Sequence, residues 1–141
     1  MENTDILKKV TIENLPNQRD AFGRFHGGDN RGTVAVVNSK SDIQQIEYVE
    51  FAQNGVKRGF HYHSEYQEKF YVLKGKIQMH LIDVDSPKQE LYSQIITEGT
   101  LVSMSAKIAH AFISIEPSTA LCFGSGPSPF EDMTRIDFPI N

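Results

Sequence analysis

Cysteine is nearly missing from this sequence: Cys122 is the single one among 141 residues, so no disulfide framework can form within the chain. Its neighbours Leu121 and Phe123 are apolar, a setting in which a thiol behaves as a small buried hydrophobe and not as a nucleophile. Positive charge is also short. Fourteen basic residues face 18 acidic ones, interleaved along the chain, for a net charge of -4. A nucleic-acid surface needs a concentrated basic face, so nucleic acid is not an expected partner. No apolar run approaches the ~18 residues of a membrane span. The opening Met1-Glu2-Asn3-Thr4-Asp5 is acidic and polar where a signal peptide is basic and then apolar. These absences lead to the expectation of a soluble, cytoplasmic protein with no membrane partner.

Helical spacing is lacking as well, because nowhere do apolar residues repeat every three to four positions over three turns; residues 5–9 suffice for one short helical turn. There is no internal repeat, no low-complexity segment and no linker that would split the chain. What is present is a series of short runs rich in Val, Ile, Tyr and Phe, at 33–37, 43–51, 69–73, 77–83, 91–97, 108–115 and 119–123. Turn residues separate them: a tight hairpin is expected at Lys74-Gly75-Lys76, a wider loop at 83–88 and a further turn at Glu98-Gly99-Thr100. That rhythm describes an all-β sandwich or barrel of antiparallel strands. Residues 1–32 read as a partly irregular N-terminal arm, with a weak strand signal at 9–12 that can pair at a sheet edge, and residues 33–141 as the single domain.

Within this frame His61 and His63 lie two apart, so on a strand their imidazoles point the same way. Glu68 follows after the chain has turned, and His110 stands in a later apolar strand run. Three imidazoles and one carboxylate converging on one point make a donor set suited to a borderline divalent metal, such as zinc, nickel, iron or manganese. His61, His63, Glu68 and His110 are therefore the candidate metal ligands. If His61 is a ligand its lone pair is occupied, and a base must be found elsewhere. His80 and Tyr71 are the candidates expected to point into the barrel mouth, beside His61 itself. Arg58 and Lys57 are candidates for binding a substrate through charge-assisted hydrogen bonds, and Phe112 for stacking on it.

The spacing of Gly55, His61, His63, Glu68 and Gly75 resembles the first motif of the cupin superfamily at every fixed position. Gly99 and His110 match the second motif, in which Ser105, Lys107 and Ser114 replace the usual Pro, Gly and Asn. The words "RGFHYH" at 58–63 and "IAHAF" at 108–112 look like segments of the epimerases that act on dTDP-4-keto-6-deoxyhexoses. "SPFEDMTRIDF" at 128–138 is similar to the tail of the related 3,4-ketoisomerases. "HYHSEYQEKFYVLKGK" at 61–76 is similar to the metal-binding cupin domain of capsule-biosynthesis enzymes.

The resemblance implies a single-domain, small-barrel antiparallel jelly roll with the metal, zinc or nickel before iron or manganese, at the barrel mouth. It implies epimerisation or isomerisation of a nucleotide-linked 4-keto-6-deoxyhexose for surface polysaccharide, with an iron-dependent cupin dioxygenase or a non-catalytic sugar-binding cupin as the alternatives. The sequence departs from the metal-free dTDP-sugar epimerases at two places. Glu68 stands where they tend to have lysine, and Gly124-Ser125-Gly126-Pro127 offers no tyrosine as the acid. Glu68 points to the metal-binding branch, whereas the missing tyrosine and the altered second motif leave room for a protein that has kept the site and lost the reaction. A homodimer is expected, because Phe70-Tyr71-Val72-Leu73 is apolar on both faces and one face would be covered by a partner.

Overall fold

A computed structural model describes residues 5–38 and 40–140; residues 1–4 of the expected arm lie outside the described residues. After a 3₁₀ turn at Asp5–Lys8 the described residues form twelve strands and contain no α-helix. They are β1 (Val10–Asn14), β2 (Phe25–Asp29), β3 (Gly32–Val36), β4 (Gln45–Phe51), β5 (Lys57–Tyr62), β6 (Gln67–Lys74), β7 (Lys76–Asp83), β8 (Leu91–Thr97), β9 (Thr100–Met104), β10 (Ile108–Ser114), β11 (Ser118–Ser125) and β12 (Thr134–Arg135). Two five-stranded sheets, ordered β1-β9-β6-β11-β4 and β12-β5-β10-β7-β8, face one another, and β2 and β3 form a separate hairpin. Every strand pair is antiparallel. The fold is all-β, as the strand rhythm predicts, and a jelly roll, as the resemblance implies.

Alternation along each strand sorts its residues between the space inside the two sheets and their outer faces. Phe70, Val72, Ile77, Met79, Leu81, Val102, Ile108 and Phe112 turn inward and join one buried core with Ile6 and Val10 from the N-terminal arm. Each large side chain removed from water in this way contributes about 1.5–3 kcal/mol. The outer face of the first sheet is covered by the chain itself. Tyr71, Leu101 and Phe123 pack with Leu15, Ala35, Val37 and Ile43. The face expected to await a partner at Tyr71 and Leu73 is therefore used within the chain, and Tyr71 has no exposed surface. The outer face of the second sheet carries Phe60, Tyr62, Ala109 and Ala111 beneath Ile136, Phe138 and Ile140 of the C-terminal segment.

One turn differs from expectation. Lys74-Gly75-Lys76 does not join paired strands: β6 pairs with β9 and β11, whereas β7 pairs with β8 and β10. Gly75 is a corner at which the chain leaves one sheet for the other. Its φ of 102° and the position of Ser118 Oγ, 2.0 Å from where a Cβ would stand, leave room for glycine alone. The 83–88 loop is the true hairpin connection, because β7 and β8 are hydrogen-bonded neighbours.

Candidate metal centre

The site forms where β5 lies against β10. Their register pairs His61 with His110, then Gly59 with Ala111, so Phe60 is an extra residue bulged out of the ladder. Gly59 (φ 88°) and Phe60 (φ 62°) both have left-handed backbone, and a Cβ on Gly59 would come within 2.6 Å of the His110 carbonyl oxygen. This bulge changes the parity of β5. Arg58 and His61, three residues apart, end on the same inner side, while Phe60 and Tyr62 turn outward into the apolar layer.

His61, His63 and His110 offer one ring nitrogen each within 4.8 Å of one another. Glu68, at the start of β6 in the facing sheet, places Oε1 3.0 Å from His110 Nε2 and 3.8 Å from His63 Nε2. The orientation of two rings is fixed from behind. His63 Nδ1–H donates to the Asp132 carbonyl at 2.6 Å, and His110 Nδ1–H donates to the Ile108 carbonyl at 3.1 Å. In a neutral imidazole the other nitrogen then carries a lone pair, so both Nε2 lone pairs face the oxygen lone pairs of Glu68. Acceptors facing acceptors require a positive charge between them, either a shared proton or a cation. His63 Nε2 is fully buried and has no hydrogen-bond partner.

The electrostatics express the same arrangement. Burial, reinforced by His110 and His63, drives the His61 pKa down to about 4, which leaves its lone pair free at neutral pH. Burial would also lower His63, but Glu68 and the Asp132 carbonyl outweigh it and raise its pKa. At Glu68 burial favours the neutral acid, yet His110 and His63 more than offset it and hold the carboxyl well below its usual range. A buried carboxylate ringed by imidazoles is a donor set that fits zinc or nickel.

Asp132, to which the sequence reading gave no role, organises the loop carrying His63. Its carboxylate accepts from the backbone N–H of Ser64, Glu65 and Tyr66 at 2.8, 2.8 and 2.9 Å, while its carbonyl holds the His63 ring. Burial would raise the pKa of this carboxyl, but the three N–H donors lower it. Glu47, also missed, points inward from β4; with Glu68 and Cys122 it forms a group whose ligand atoms lie within 4.8 Å of one another. Burial and the nearby Glu68 raise the pKa of Glu47, and the same two influences, burial first, raise the Cys122 thiol well above its usual value. A cavity of about 170 Å³ runs beside these groups, bounded by Glu47, Arg58, His61, Glu68, His110 and Phe112 among others.

The remaining sequence candidates fall on either side of this boundary. Arg58 lines the cavity and donates from Nε to the Glu50 carbonyl at 2.7 Å. Lys57 lies outside it, on an outer cleft. Phe112 is buried and stacks on Phe70 with ring centroids 3.9 Å apart at 7°, so it forms part of the cavity wall. His80 does not point into the mouth: Met79 and Leu81 turn inward, and His80 faces the other way with Nδ1 2.7 Å from Ser93 Oγ. Tyr71 also faces away. It shares β6 with Glu68 but, three residues on, its hydroxyl meets His26 Nδ1 beyond the opposite face of the sheet.

Two facing antiparallel sheets with this histidine and carboxylate cluster between them define a small jelly-roll barrel with a histidine-rich centre. The chain belongs to the polysaccharide biosynthesis C-terminal domain family, whose model matches residues 27–123. Among curated proteins nothing matches the sequence. Similar solved structures include QdtA, a sugar 3,4-ketoisomerase from Thermoanaerobacterium thermosaccharolyticum in complex with TDP, with TM-score 0.71 at 16% identity over 92% of this chain and 89% of that one. A 3,4-ketoisomerase from Helicobacter canadensis matches with TM-score 0.70 at 17% identity over 89% of this chain and 90% of that one. The dTDP-6-deoxy-D-glucose-3,5-epimerase RmlC from Legionella pneumophila, in complex with dTDP-4-keto-L-rhamnose, matches with TM-score 0.68 at 17% identity over 94% and 85%. At these identities the likeness establishes the shared fold.

Proposed function

We propose that this protein is a metal-binding epimerase or isomerase of a nucleotide-linked 4-keto-6-deoxyhexose, acting in surface-polysaccharide biosynthesis. The metal part of the reading is carried by one observation: the buried Nε2 of His63 lacks a partner while facing Glu68 in a cluster of three imidazoles. The substrate class is supported by the family and by similar structures that hold TDP or a dTDP-sugar. His61, His63, Glu68 and His110 would hold a divalent ion, with zinc or nickel favoured. When bound, such an ion polarises a carbonyl and stabilises the enolate that forms when the neighbouring C–H loses its proton.

The chain's own residues then position and protonate. Arg58, held at Nε by Glu50, turns its guanidinium to a cavity wide enough for a hexose ring, where it can donate to a sugar oxygen. His80 and Tyr71 are replaced as proton-handling candidates by Glu47, the carboxylate in the cavity that lies outside the ligand set. The homodimer expected from sequence would bury Ile46 and Tyr48, which are 64% and 62% exposed on β4 at the edge of the first sheet.

The test is elemental analysis of the purified protein followed by NMR of solvent deuterium incorporation into a panel of dTDP- and UDP-4-ketohexoses. Deuterium at a carbon next to the keto group is the expected result. Metal-replete protein that exchanges no proton in any member of the panel would end the reading.

A further inference from the structure

The inner cavity, about 170 Å³, accommodates a sugar ring but not the nucleoside diphosphate attached to it, because sites for larger ligands run from about 300 Å³ upward. Arg58, Gly59 and His61 line both this cavity and a second cleft of about 490 Å³, whose other residues are Lys57, Phe60, Phe130, Met133 and Arg135. That cleft combines two features. First, although the chain carries a net charge of -4, the cleft has three cations and no carboxylate in its lining. Among the described residues none of Lys57, Arg58 and Arg135 is ion-paired. Second, Phe130 is 66% exposed and Met133 is 37% exposed, which places apolar surface in water beside those charges.

The segment presenting these groups is anchored. Glu131 and Asp132 N–H both donate to the Ser128 carbonyl, the Asp132 carboxylate is tied to the 64–66 loop, and Thr134 and Arg135 pair with Tyr62 and His61. The Phe130 ring is thus held on a braced turn next to the metal cluster, so part of the ordering cost of binding is met before a ligand arrives.

We propose that this cleft binds the nucleoside diphosphate half of the substrate. The diphosphate lies across Lys57, Arg58 and Arg135, the pyrimidine base rests against Phe130 and Met133, and the sugar passes His61 into the inner cavity. The proposal rests on the nucleotide-sugar reading given above and adds the residues that recognise the nucleotide. Aromatic stacking accepts any base face, so thymine and uracil should bind alike at Phe130.

Calorimetric titration of the full chain with dTDP, UDP and inorganic pyrophosphate tests it, with Phe130→Ala and Arg135→Gln as variants whose folding is checked by Tm. Phe130→Ala should weaken dTDP and UDP by about tenfold or more while leaving pyrophosphate unchanged. Arg135→Gln should weaken all three ligands and reduce the dependence of affinity on salt. If both variants bind dTDP as tightly as the wild type, the cleft assignment is wrong and the nucleotide-sugar reading survives. A wild-type protein that binds neither dTDP nor UDP removes both.

Discussion

Two histidine clusters lie on opposite faces of the same sheet, and they treat their ring nitrogens differently. Beyond the outer face, His26 places Nδ1 against the Tyr71 hydroxyl and Nε2 3.1 Å from Glu98 Oε2, so both nitrogens have partners. Inside, His63 and His110 each use Nδ1 on a backbone carbonyl and turn Nε2 toward one carboxylate, and His63 Nε2 has no hydrogen bond. Buried polar atoms in proteins are almost always paired, so the closed cluster reads as a clamp between the β2–β3 hairpin and the barrel. The open cluster reads as a set of ligands held apart for something that completes it. Sequence composition makes the two look alike, a histidine with an acidic residue within reach; only the direction of each nitrogen separates them.

Breaking the open cluster should give the largest effect. If a metal-site free energy of about 10–16 kcal/mol is shared among four ligands, removing one weakens binding by roughly 10²-fold to 10³-fold. His63→Ala should therefore lose metal under competition with a chelating dye, while the metal-free protein stays folded with its Tm lowered by loss of the buried ring and of its Nδ1 hydrogen bond to the Asp132 carbonyl. Full occupancy in that variant would remove His63 from the ligand set. The matching substitution in the closed cluster, His26→Ala, should lower the Tm with metal affinity unchanged.

Asp132 sharpens the comparison at the next level down. Loss of its carboxylate frees three loop N–H groups and loosens the carbonyl that orients His63. Loss of a contact that orients a metal ligand typically costs 10-fold to 100-fold in metal affinity, so Asp132→Ala should fall roughly in that range. The absorption spectrum of the cobalt-substituted protein provides the specific readout, since a changed ligand angle alters band position and intensity. An Asp132→Ala protein with wild-type cobalt bands and affinity would show that the loop holds its shape unaided.

Such contacts also mark the limit of what the sequence discloses. The strands β4, β6, β7, β8, β10 and β11 announce themselves as apolar runs between turns, and the ligands His61, His63 and Glu68 are legible because they fall within one short stretch. β5 is hidden by its own bulge, since Gly59 and Phe60 break the alternation that would reveal it. β2, reading FHGGD, has too little apolar content to signal a strand. The Gly75 corner looks like a hairpin because a turn residue says that the chain reverses, not which sheet it enters. Asp132 and Arg135 reach the site from a tail far along the chain, and no local pattern records that approach. The positions of His80 and Tyr71, by contrast, were within reach of sequence alone. Met79 and Leu81 claim the inward face for odd-numbered residues of β7, and Tyr71 is an odd number of residues from Glu68 on an unbroken strand.

The closed cluster supplies the smallest expected effect and the most direct view of its role. Burial, with Glu98 adding to it, pushes the Tyr71 hydroxyl up to about 12, whereas in an unfolded chain it ionises near ~10. A group whose folded pKa is raised binds its proton more tightly in the native state, so its contribution is complete below pH ~10 and is lost as pH rises toward about 12. Tyr66 is raised to about 12 as well, by burial first, so wild-type stability should decline over this window through two tyrosines. Tyr71→Phe should cost about 1 kcal/mol at neutral pH, the worth of one hydrogen bond, and should make the alkaline decline shallower without abolishing it. Urea denaturation at pH 8 and across pH 10 to 12 would measure both quantities. Unchanged stability of Tyr71→Phe at pH 8 would mean that the Tyr71 hydroxyl is not held by His26, and the contrast between a closed and an open cluster would lose its closed half.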